Sequence, residues 1–454
     1  MNVLLISPNL EHLPDPVFPL GAACIAAALT QAGVACRCLD LCFSDDPLAV
    51  TTEALERHQP DLVALSLRNV DNVSYPRPVS YLPFYQALMT TIRQHSRAPV
   101  VLGGSGFTLM PDELLDFLGA DYGIAGEGEN AFLQLISHLD GAAVLAQADL
   151  PIIRSGRYPV DDPDRLAFPA RDKFDGLRYL NSGGMGNLQT KRGCPFGCIY
   201  CTYPLIEGRT VRVRSPESIC DEIEVLKAQG IDTLFLTDNE FNFPMAHALA
   251  VCREIVRRRI RIKWSAYANP AYISPELLES MQKAGCTSLE FGTDAACEPM
   301  LRRLGKSFDV RQIENAGRFC RQAGMPFCHA LLLGGPGETM QTVRETLETI
   351  DRQNPTAVIC MAGIRIFPDT RLAAVARAEG RIGDGQRFLE PVFYLSDAVK
   401  ENILPYLKLF SKTHPAWIFP GLQINMDTRL QAKLRRFGRQ GPLWELMASR
   451  RRPA

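Results

Sequence analysis

The sequence predicts an α/β protein in which two parallel β-sheets follow one another along the chain. Short apolar runs alternate with stretches of helical length, and this alternation occurs in two separate series. A polar segment marked by prolines lies between the two series. A chain of 454 residues is expected to form about two or three domains, and 46% hydrophobic residues can build large cores.

The first series, residues 1–140, predicts a doubly wound parallel sheet of the flavodoxin or Rossmann type. The predicted strands are Val3–Ser7, Cys36–Leu41, Leu62–Leu67, Val100–Leu102 and Tyr122–Ile124. The predicted helices are Gly21–Gln31, Leu48–His58, Leu82–His95, Pro111–Leu118 and Glu129–Leu139. Strands joined by helical crossovers run parallel, so their carboxyl ends meet at one edge, where such sheets bind ligands.

Residues 141–188 are predicted as a linker, and residues 189–380 as a partial (β/α)6 barrel of the TIM type. The predicted barrel strands are Leu188–Lys191, Thr233–Thr237, Ile260–Ala266, Ser288–Phe291, Phe327–Leu333 and Val358–Ile366. The predicted helices between them are Ser215–Gln229, Met245–Arg258, Pro275–Ala284, Val310–Ala323 and Met340–Gln353. In such barrels the chemistry lies at the carboxyl ends of the strands.

The final region, residues 381–454, is predicted to be small, mostly helical and basic. Membrane-surface contact, nucleic-acid contact and a solvated helix face all fit the basic stretch, and the solvated face is favoured. A net charge of −1 argues neither for nor against nucleic acid, and we predict none as a partner. The basic residues are Arg429, Lys433, Arg435, Arg436, Arg439 and Arg450–Arg452.

The compartment is predicted from two further features of the sequence. No apolar run reaches transmembrane length, and the first residues lead into a strand-like segment without a signal-peptide pattern. Of the 14 cysteines, the 11 outside one cluster are scattered and mostly in apolar surroundings, as in reduced proteins. A cytoplasmic location is therefore expected.

The most specific motif is the run Gly193–Cys201, whose cysteines follow the pattern C-x3-C-x2-C. Three thiolates on a short loop containing glycine and proline are typical of iron–sulfur ligation. In a four-iron cluster, three cysteines leave one iron open for chemistry. A structural zinc ion needs a fourth ligand, and no cysteine or histidine lies between Cys201 and Cys220. The motif therefore favours an iron–sulfur cluster over zinc.

Together with this loop, several segments resemble those of the cobalamin-binding subgroup of radical S-adenosylmethionine (SAM) enzymes. The resemblance covers about residues 1 to 375, with the segments in the expected order. They are Pro19–Ala23, Val100–Gly104, Gly126–Glu129, Leu166–Arg171, Thr190–Pro195, Leu332–Thr339 and Phe367–Thr370. The resemblance implies that the first sheet is a cobalamin-binding domain and that the barrel is a radical SAM domain.

The resemblance also implies the residues of three cofactor sites. The implied ligands of a [4Fe–4S] cluster are Cys194, Cys198 and Cys201. The implied SAM contacts are Tyr200, Asp238, Asn239, Glu240, Thr293, Asp294, Gly334 and Gly335. The implied cobalamin contacts are Asn9, Leu20, Gly21, Ser66, Arg68, Asn69, Gly103, Gly104, Ser105, Gly126 and Glu127.

Two departures from the subgroup bear on these sites. Asp294 stands where glutamate is more usual. The Asp-x-His-x-x-Gly signature, whose histidine binds cobalt in many cobalamin proteins, is missing after the first strand, although His12 lies in that loop at another spacing. The resemblance therefore implies cobalamin bound with its own base displaced and no histidine in its place.

The activity implied by the resemblance is methylation of an unactivated carbon, or of phosphorus, in a small-molecule biosynthetic intermediate. In the subgroup, SAM cleavage gives a 5′-deoxyadenosyl radical that abstracts hydrogen, and methylcobalamin then donates the methyl group. A low-potential donor of the flavodoxin or ferredoxin type supplies the electron. Two alternatives stay open: oxidative cyclisation or rearrangement without methyl transfer, and a cobalamin- or redox-responsive binding protein without turnover.

Overall fold

The computed structural model describes residues 1–142, 145, 150–426, 435 and 440–445 of the chain. Two parallel sheets, of six and seven strands, lie within these residues, together with two antiparallel ribbons of two strands each. None of the described helices is both long enough and apolar enough to cross a membrane.

The first sheet confirms the predicted doubly wound architecture. Its strands are β1 Asn2–Ser7, β2 Ala35–Asp40, β3 Leu62–Ser66, β4 Val100–Gly103, β5 Tyr122–Ala125 and β6 Ile152–Arg154. They pair in parallel in the order β2-β1-β3-β4-β5-β6. Strand β6 comes from the segment predicted as a linker, so that segment also extends the sheet.

Six helices connect or cover these strands, and local sequence explains their positions. They are α1 Leu20–Gln31, α2 Pro47–His58, α3 Leu82–His95, α4 Ser105–Leu109, α5 Pro111–Leu118 and α6 Gly128–Leu139. Helix α2 begins where the Asp46 side chain accepts a hydrogen bond from the Ala49 N–H, with proline at the first helical position. Helix α3 buries Leu82, Tyr85, Leu88 and other side chains at helical spacing.

The second sheet is the partial barrel that the sequence predicts. The elements from its start are α7 Gly176–Asn181, β7 Gly186–Leu188, β8 Lys191–Arg192, α8 Tyr203–Ile206, β9 Arg212–Val213, α9 Pro216–Ala228, β10 Thr233–Leu236, α10 Met245–Arg257, β11 Lys263–Ala268, α11 Pro275–Lys283, β12 Cys286–Asp294, α12 Glu298–Leu304, α13 Val310–Ala323, β13 Phe327–Leu333, α14 Met340–Asp351 and β14 Ala357–Ala362. The remaining elements are β15 Ile364–Arg365, α15 Arg371–Ala378, β16 Phe393–Tyr394, α16 Asp397–Lys400, α17 Ile403–Ser411 and β17 Trp417–Ile418.

The barrel strands pair in parallel in the order β17-β14-β13-β12-β11-β10-β7. Strand β17 shows that the C-terminal region, although it contains α16 and α17, also adds an edge strand. Of the basic residues predicted there, only Arg435 is described, and its guanidinium pairs with Asp15 of the first domain. The others lie outside the described residues.

Side chains of the barrel strands alternate between an outer core and an inner face. Leu234, Trp264 and Leu289 point outward into the buried cluster formed with α10 and α11. Because side chains on a strand alternate in direction, Phe235 and Glu290 point to the barrel interior. The barrel interior is thus lined by side chains that do not take part in the outer hydrophobic core.

A continuous apolar core joins the two domains. One buried cluster contains Leu102 and Phe107 of the first domain together with Ile199, Leu304 and Leu331 of the second. A buried ion pair crosses the same boundary, with 3.0 Å between the Asp71 carboxylate and Arg365 Nε. Packing and charge therefore fix the first sheet against the barrel.

Candidate active site

The cysteine loop lies between the ribbon strands β8 and β9, at the carboxyl end of β7. Gly193 opens it with φ +88°, and a Cβ there would lie 2.1 Å from the Thr210 carbonyl oxygen, so only glycine fits. Farther on, the Ile199 N–H donates to the Leu304 carbonyl at 3.0 Å, and the Leu372 N–H donates to the Ile199 carbonyl at 2.8 Å. Helices α12 and α15 thus hold the loop in place.

The three loop thiols are suited to bind metal in exchange for protons. Cys194, Cys198 and Cys201 are free of disulfides. Burial raises the pKa of Cys194 to about 11 and that of Cys201 to about 12, and the neighbouring thiols add to both shifts. These thiols therefore stay protonated at neutral pH until a metal displaces the proton.

The donor set of the loop consists of three cysteines on one anchored segment. In a four-iron cluster each of three thiolates binds a different iron. The donor set, three cysteines on one anchored loop, therefore fits the predicted [4Fe–4S] cluster.

A buried charged group stands beside Cys198. The Lys306 ammonium donates to the Asp294 carboxylate at 2.6 Å and to the Gly292 carbonyl at 2.8 Å. The Tyr200 hydroxyl donates to the same carboxylate. Asp294 has φ +62°, a conformation that side chains other than glycine rarely adopt. The structure therefore brings two predicted SAM contacts, Tyr200 and Asp294, together around Lys306.

Lys306 was not predicted from the sequence. The lysine follows Gly305 just after α12, a helix that the strand–helix pattern did not reveal, and its spacing from Asp294 matches no local motif. The positive charge of Lys306 counteracts burial at Cys198, whose pKa is nevertheless raised overall. A charge that only the fold places there therefore helps set the environment of the cluster loop.

A second polar group lies at the end of β10. Glu240 accepts a hydrogen bond from Asn269 Nδ2 at 2.7 Å, and burial raises the pKa of Glu240 to about 7. The side-chain oxygen of Asn239 is buried without a partner among the described residues. Two predicted SAM contacts thus retain acceptor atoms at the strand end. Asn269 was missed, although its place in Asn269-Pro270 directly after a strand was a usable signal.

Glu338 shapes the predicted SAM segment at the end of β13. One carboxylate oxygen accepts the backbone N–H groups of Gly334 and Gly335, the second of them at 3.1 Å. The other oxygen is buried without a partner among the described residues. Burial raises the pKa of Glu338 to about 7. The two predicted glycines are therefore held by a carboxyl group within their own turn.

The carboxyl edge of the first sheet holds several of the predicted cobalamin contacts and keeps polar atoms free. Asn9, after β1, is buried and its Nδ2 has no partner among the described residues. The Arg68 guanidinium, after β3, makes no hydrogen bond or ion pair within the described part of the chain, although it lies within electrostatic range of Tyr203 and Tyr267. Gly21 is exposed at the start of α1, with no atom near its Cβ direction.

Other predicted cobalamin contacts hold the loops at this edge together through hydrogen bonds and close backbone packing. The Ser105 hydroxyl donates to the Arg68 carbonyl at 2.8 Å, and Tyr85 donates to the Asn69 carbonyl at 2.7 Å. Gly104 has φ +92°, and a Cβ there would lie 2.6 Å from the Leu67 carbonyl oxygen. The adjoining positions Ser66, Gly103, Leu20 and Gly126 lie at the same edge.

Three predicted contacts have side chains that hydrogen-bond within the protein, and their cofactor roles stay predictions. Glu127 accepts both terminal nitrogens of Arg212 at 2.7 Å, so its carboxylate joins the first domain to the cysteine hairpin. Asp238 is buried and accepts from Lys191 Nζ at 3.0 Å and from the Thr190 N–H. The Thr293 hydroxyl bonds His329 Nδ1 at 2.7 Å on the outer side of the barrel.

His12 is held at the carboxyl edge of the first sheet by residues that follow β2. Its Nε2 bonds the Cys42 carbonyl, and its ring packs on Phe43 with centroids 5.2 Å apart. That no histidine replaces the base of cobalamin stays a prediction.

The barrel interior has aromatic walls with a carboxylate beside them. Phe235 and Tyr267 meet edge to face, with ring centroids 5.0 Å apart. Tyr267 is 38% exposed although it lies on a central strand, so the interior has open space beside it. In register with Tyr267 on the neighbouring strand, Glu290 accepts a hydrogen bond from Trp444 Nε1 at 3.0 Å, and burial raises the pKa of Glu290. The interior thus presents aromatic surfaces and a carboxyl group side by side.

Comparisons with known proteins agree with this layout. The B12 binding domain model matches residues 6–136, and the radical SAM superfamily model matches residues 188–350. Tryptophan 2-C-methyltransferase of Streptomyces laurentii is 28% identical, covering 82% of this chain and 74% of that protein. Anaerobic magnesium-protoporphyrin IX monomethyl ester cyclase of Rubrivivax gelatinosus is 27% identical, covering 56% of this chain and 49% of that protein.

A solved structure is similar over nearly the whole chain. It is the radical SAM methyltransferase TsrM of Kitasatospora setae with tryptophan substrate and a SAM analogue bound, at 25% identity and a TM-score of 0.87. The match covers 99% of this chain and 97% of that one. With a B12-binding sheet, a radical SAM barrel and the three-cysteine loop at their junction, the chain belongs to the cobalamin-binding radical SAM enzymes, which use a [4Fe–4S] cluster, SAM and cobalamin.

Proposed function

We propose that this enzyme methylates a carbon atom of a small aromatic molecule of the tryptophan class. The observation that carries the proposal is the barrel interior, where Phe235 and Tyr267 form aromatic walls beside the Glu290 carboxylate. Aromatic side chains bind planar rings through offset or edge contacts, and a carboxylate can accept a ring N–H or an ammonium group. The interior offers both features in one chamber.

The three cofactors have separate sets of residues in this proposal. Cys194, Cys198 and Cys201 hold the cluster, and Asn239 and Glu240 accept hydrogen bonds from the amino group of SAM. When bound, the cluster and SAM supply one-electron and methyl-donor chemistry, and cobalamin carries the methyl group. Asn9 and Arg68 offer free donors to the amide side chains of cobalamin at the first sheet.

The chain's own residues then position these groups and exclude water. The Asp71–Arg365 pair and the shared apolar core fix the first sheet over the barrel. Tyr203 and Tyr267 lie within electrostatic range of Arg68, so Tyr267 of the barrel interior is near the predicted cobalamin edge of the first sheet. A substrate in the chamber would thus lie between the two domains, shielded from bulk solvent.

The extent of similarity supports methyl transfer over cyclisation. The methyltransferase relative covers 82% of this chain and the cyclase relative 56%. The structure bound to tryptophan matches both domains and the C-terminal region, which supplies Trp444, the hydrogen-bond donor to Glu290. The second candidate, oxidative cyclisation without methyl transfer, rests on the cyclase relative alone.

The proposal is tested with anaerobically reconstituted enzyme, after iron and cobalt have been counted. Enzyme, SAM carrying a deuterated methyl group, a reductant and tryptophan are incubated, and products are analysed by mass spectrometry. We expect a product that has gained one deuterated methyl group on a ring carbon. The variant Cys198→Ala should lose both iron and product, whereas Cys252→Ala, at a buried cysteine outside the loop, should retain both.

The other outcomes are distinct. A product that has lost two hydrogens without gaining a methyl group would indicate cyclisation. If SAM is consumed with other small molecules but not with tryptophan, the proposed substrate class is wrong while the proposed methylation still stands. A protein that binds iron and cobalamin but never consumes SAM would be a binding protein rather than an enzyme.

A further inference from the structure

A surface cavity lies beside the cysteine loop, between that loop and the helices α12 and α15. It has a volume of about 560 Å³, and its lining includes Ile199, Arg303, Arg371 and Glu379. Ile199 follows the predicted cluster ligand Cys198 and is itself buried. The cavity floor is therefore one residue away from a cluster ligand.

Three exposed arginines surround this part of the loop, and we name them the loop arginines. Arg209 donates to the Phe196 carbonyl at 3.3 Å, and Arg371 donates to the Gly197 carbonyl at 3.2 Å. Arg303 donates to the Gly337 carbonyl at 2.6 Å on the cavity wall. None of the three forms an ion pair with a carboxylate in the described part of the chain.

The carboxylate on the cavity wall does not neutralise this patch. Glu379 is bound by Arg381 at 2.7 Å and accepts the Tyr394 hydroxyl at 2.6 Å. Arg302 adds a further exposed positive charge beside Arg303 on α12. The surface over the cysteine loop is therefore positive, although the whole chain has a net charge of −1.

We propose that the loop arginines and the cavity beside Ile199 are the docking surface for a small acidic electron-transfer protein, a reduced flavoprotein or ferredoxin. The proposal rests on the proposed function, because a cluster that reacts with SAM must receive electrons from outside. The reduced donor loses one electron, the cluster gains that electron, and no bond or proton changes place. The donor's cofactor, seated at the cavity, would be separated from Cys198 by Ile199.

Charge and position together favour this surface. Unpaired surface arginines attract an acidic partner over distances comparable to the Debye length and accelerate its encounter. Complexes between electron-transfer proteins have small interfaces and short lifetimes. A charged rim around a shallow cavity therefore suits them better than a large apolar face. Cys198 also lies beside the Lys306–Asp294 ion pair, which is buried and which a protein partner therefore cannot reach.

The test uses the reconstituted holoenzyme and a bacterial flavodoxin as the probe. The dissociation constant for oxidised flavodoxin is measured at low and high salt, and cluster reduction by reduced flavodoxin is followed by stopped-flow absorbance. Replacing the loop arginines together by glutamine should weaken binding roughly tenfold or more at low salt and slow reduction to match. Reduction by reduced methyl viologen, a small cation, should remain unchanged.

Matched variants separate charge from loop shape. Replacing the same three residues by lysine keeps the charge but changes the hydrogen bonds, and should leave flavodoxin affinity within about threefold of the wild type. Replacing three distant exposed arginines, Arg253, Arg261 and Arg344, by glutamine should leave it unchanged. If the glutamine variant loses iron, the single variants Arg209→Gln and Arg371→Gln carry the test.

The outcomes also separate this proposal from the proposed function. An unchanged flavodoxin affinity in an iron-loaded glutamine variant overturns the docking surface, whatever the product. Equal losses in the lysine and glutamine variants would mean that the arginines shape the loop and do not dock a partner. Absence of methylated product with methyl viologen as reductant would overturn the function, while the affinity measurement would still decide the docking surface.

Discussion

The two cofactor-facing edges of this molecule are built in opposite ways. At the carboxyl edge of the first sheet, Asn9 Nδ2 and the Arg68 guanidinium have no partners among the described residues. At the carboxyl edge of the barrel, Asp294 is bound by Lys306, and Asp238 by Lys191. The first edge keeps donors free, whereas the second pairs most of its charges internally.

The difference follows from the ligands that each edge is expected to hold. Cobalamin is large and carries many amide groups, so a sheet edge with free donors and small residues can bind it by hydrogen bonds. The cluster and SAM bring concentrated charge, which a buried site tolerates only when opposing charges are fixed beforehand. Free donors therefore mark the first site, whereas fixed ion pairs, with free acceptor oxygens on Asn239 and Glu338, mark the second.

The largest effect is expected from breaking the Lys306–Asp294 ion pair at the carboxyl edge of the barrel. Lys306→Met leaves the Asp294 carboxylate buried without its cation, so the unfolding free energy should fall by about 3–5 kcal/mol. Urea denaturation of the cluster-free protein measures this. The double variant Lys306→Met with Asp294→Asn should recover a large part of the loss, because it removes the unpaired charge. A single-variant loss of under about 1 kcal/mol would contradict a charge-built edge.

An intermediate effect is expected from removing a free donor at the carboxyl edge of the first sheet. Arg68→Gln removes an unpartnered cation, so cobalamin should bind roughly tenfold more weakly while the free energy of unfolding changes little. Spectral titration with cobalamin gives the dissociation constant. Arg97→Gln, an exposed arginine just before β4 at the opposite edge of the sheet, is the matched control and should bind normally. Equal affinity in both variants would show that Arg68 does not contact cobalamin.

The smallest expected effect tests whether His329, the hydrogen-bond partner of Thr293, is buried in its neutral form. Burial lowers the pKa of His329 to about 3, so the folded protein keeps this histidine neutral while the unfolded chain protonates it below pH 6.5. Stability is therefore lost as pH falls, by about 1 kcal/mol between pH 6.5 and 5.5. In His329→Gln this component should be absent.

The measurement is thermal or urea unfolding of wild type and His329→Gln at several pH values. The difference between the two proteins should be constant above pH 7 and should shrink on acidification. A difference that stays constant down to pH 5 would mean that His329 is not buried in its neutral form. Thr293 would then no longer be fixed on the outer side of the barrel.

Local sequence predicted much of the fold because alternation of strand and helix is a local property. Helices α3, α5 and α13 begin and end at the predicted residues, since their apolar spacing and, in α13, the capping box of Asp309 and Gln312 lie in consecutive stretches of sequence. The short strands β6 and β17 were missed, because strands of two or three residues carry too little periodicity to be recognised.

The candidate site was predictable only in part, for a similar reason. The cysteine loop, Glu240 and Asp294 stand at strand ends in recognisable motifs. Lys306, Asn269 and Arg365 acquire their roles through partners distant in sequence, and no spacing rule links them. The ion pairs of Glu127 with Arg212 and of Asp238 with Lys191 were not predicted either, because the partners come from different structural elements.

The sequence by itself determined the two parallel-sheet domains, their order and the three-cysteine loop, because hydrophobic periodicity and close cysteine spacing act within short stretches of chain. Only the tertiary structure decided which carboxylates are paired, which donors stay free and which arginines surround the loop. Those outcomes depend on side chains that meet across long sequence separations, where electrostatic pairing is set by burial and distance and by no local pattern.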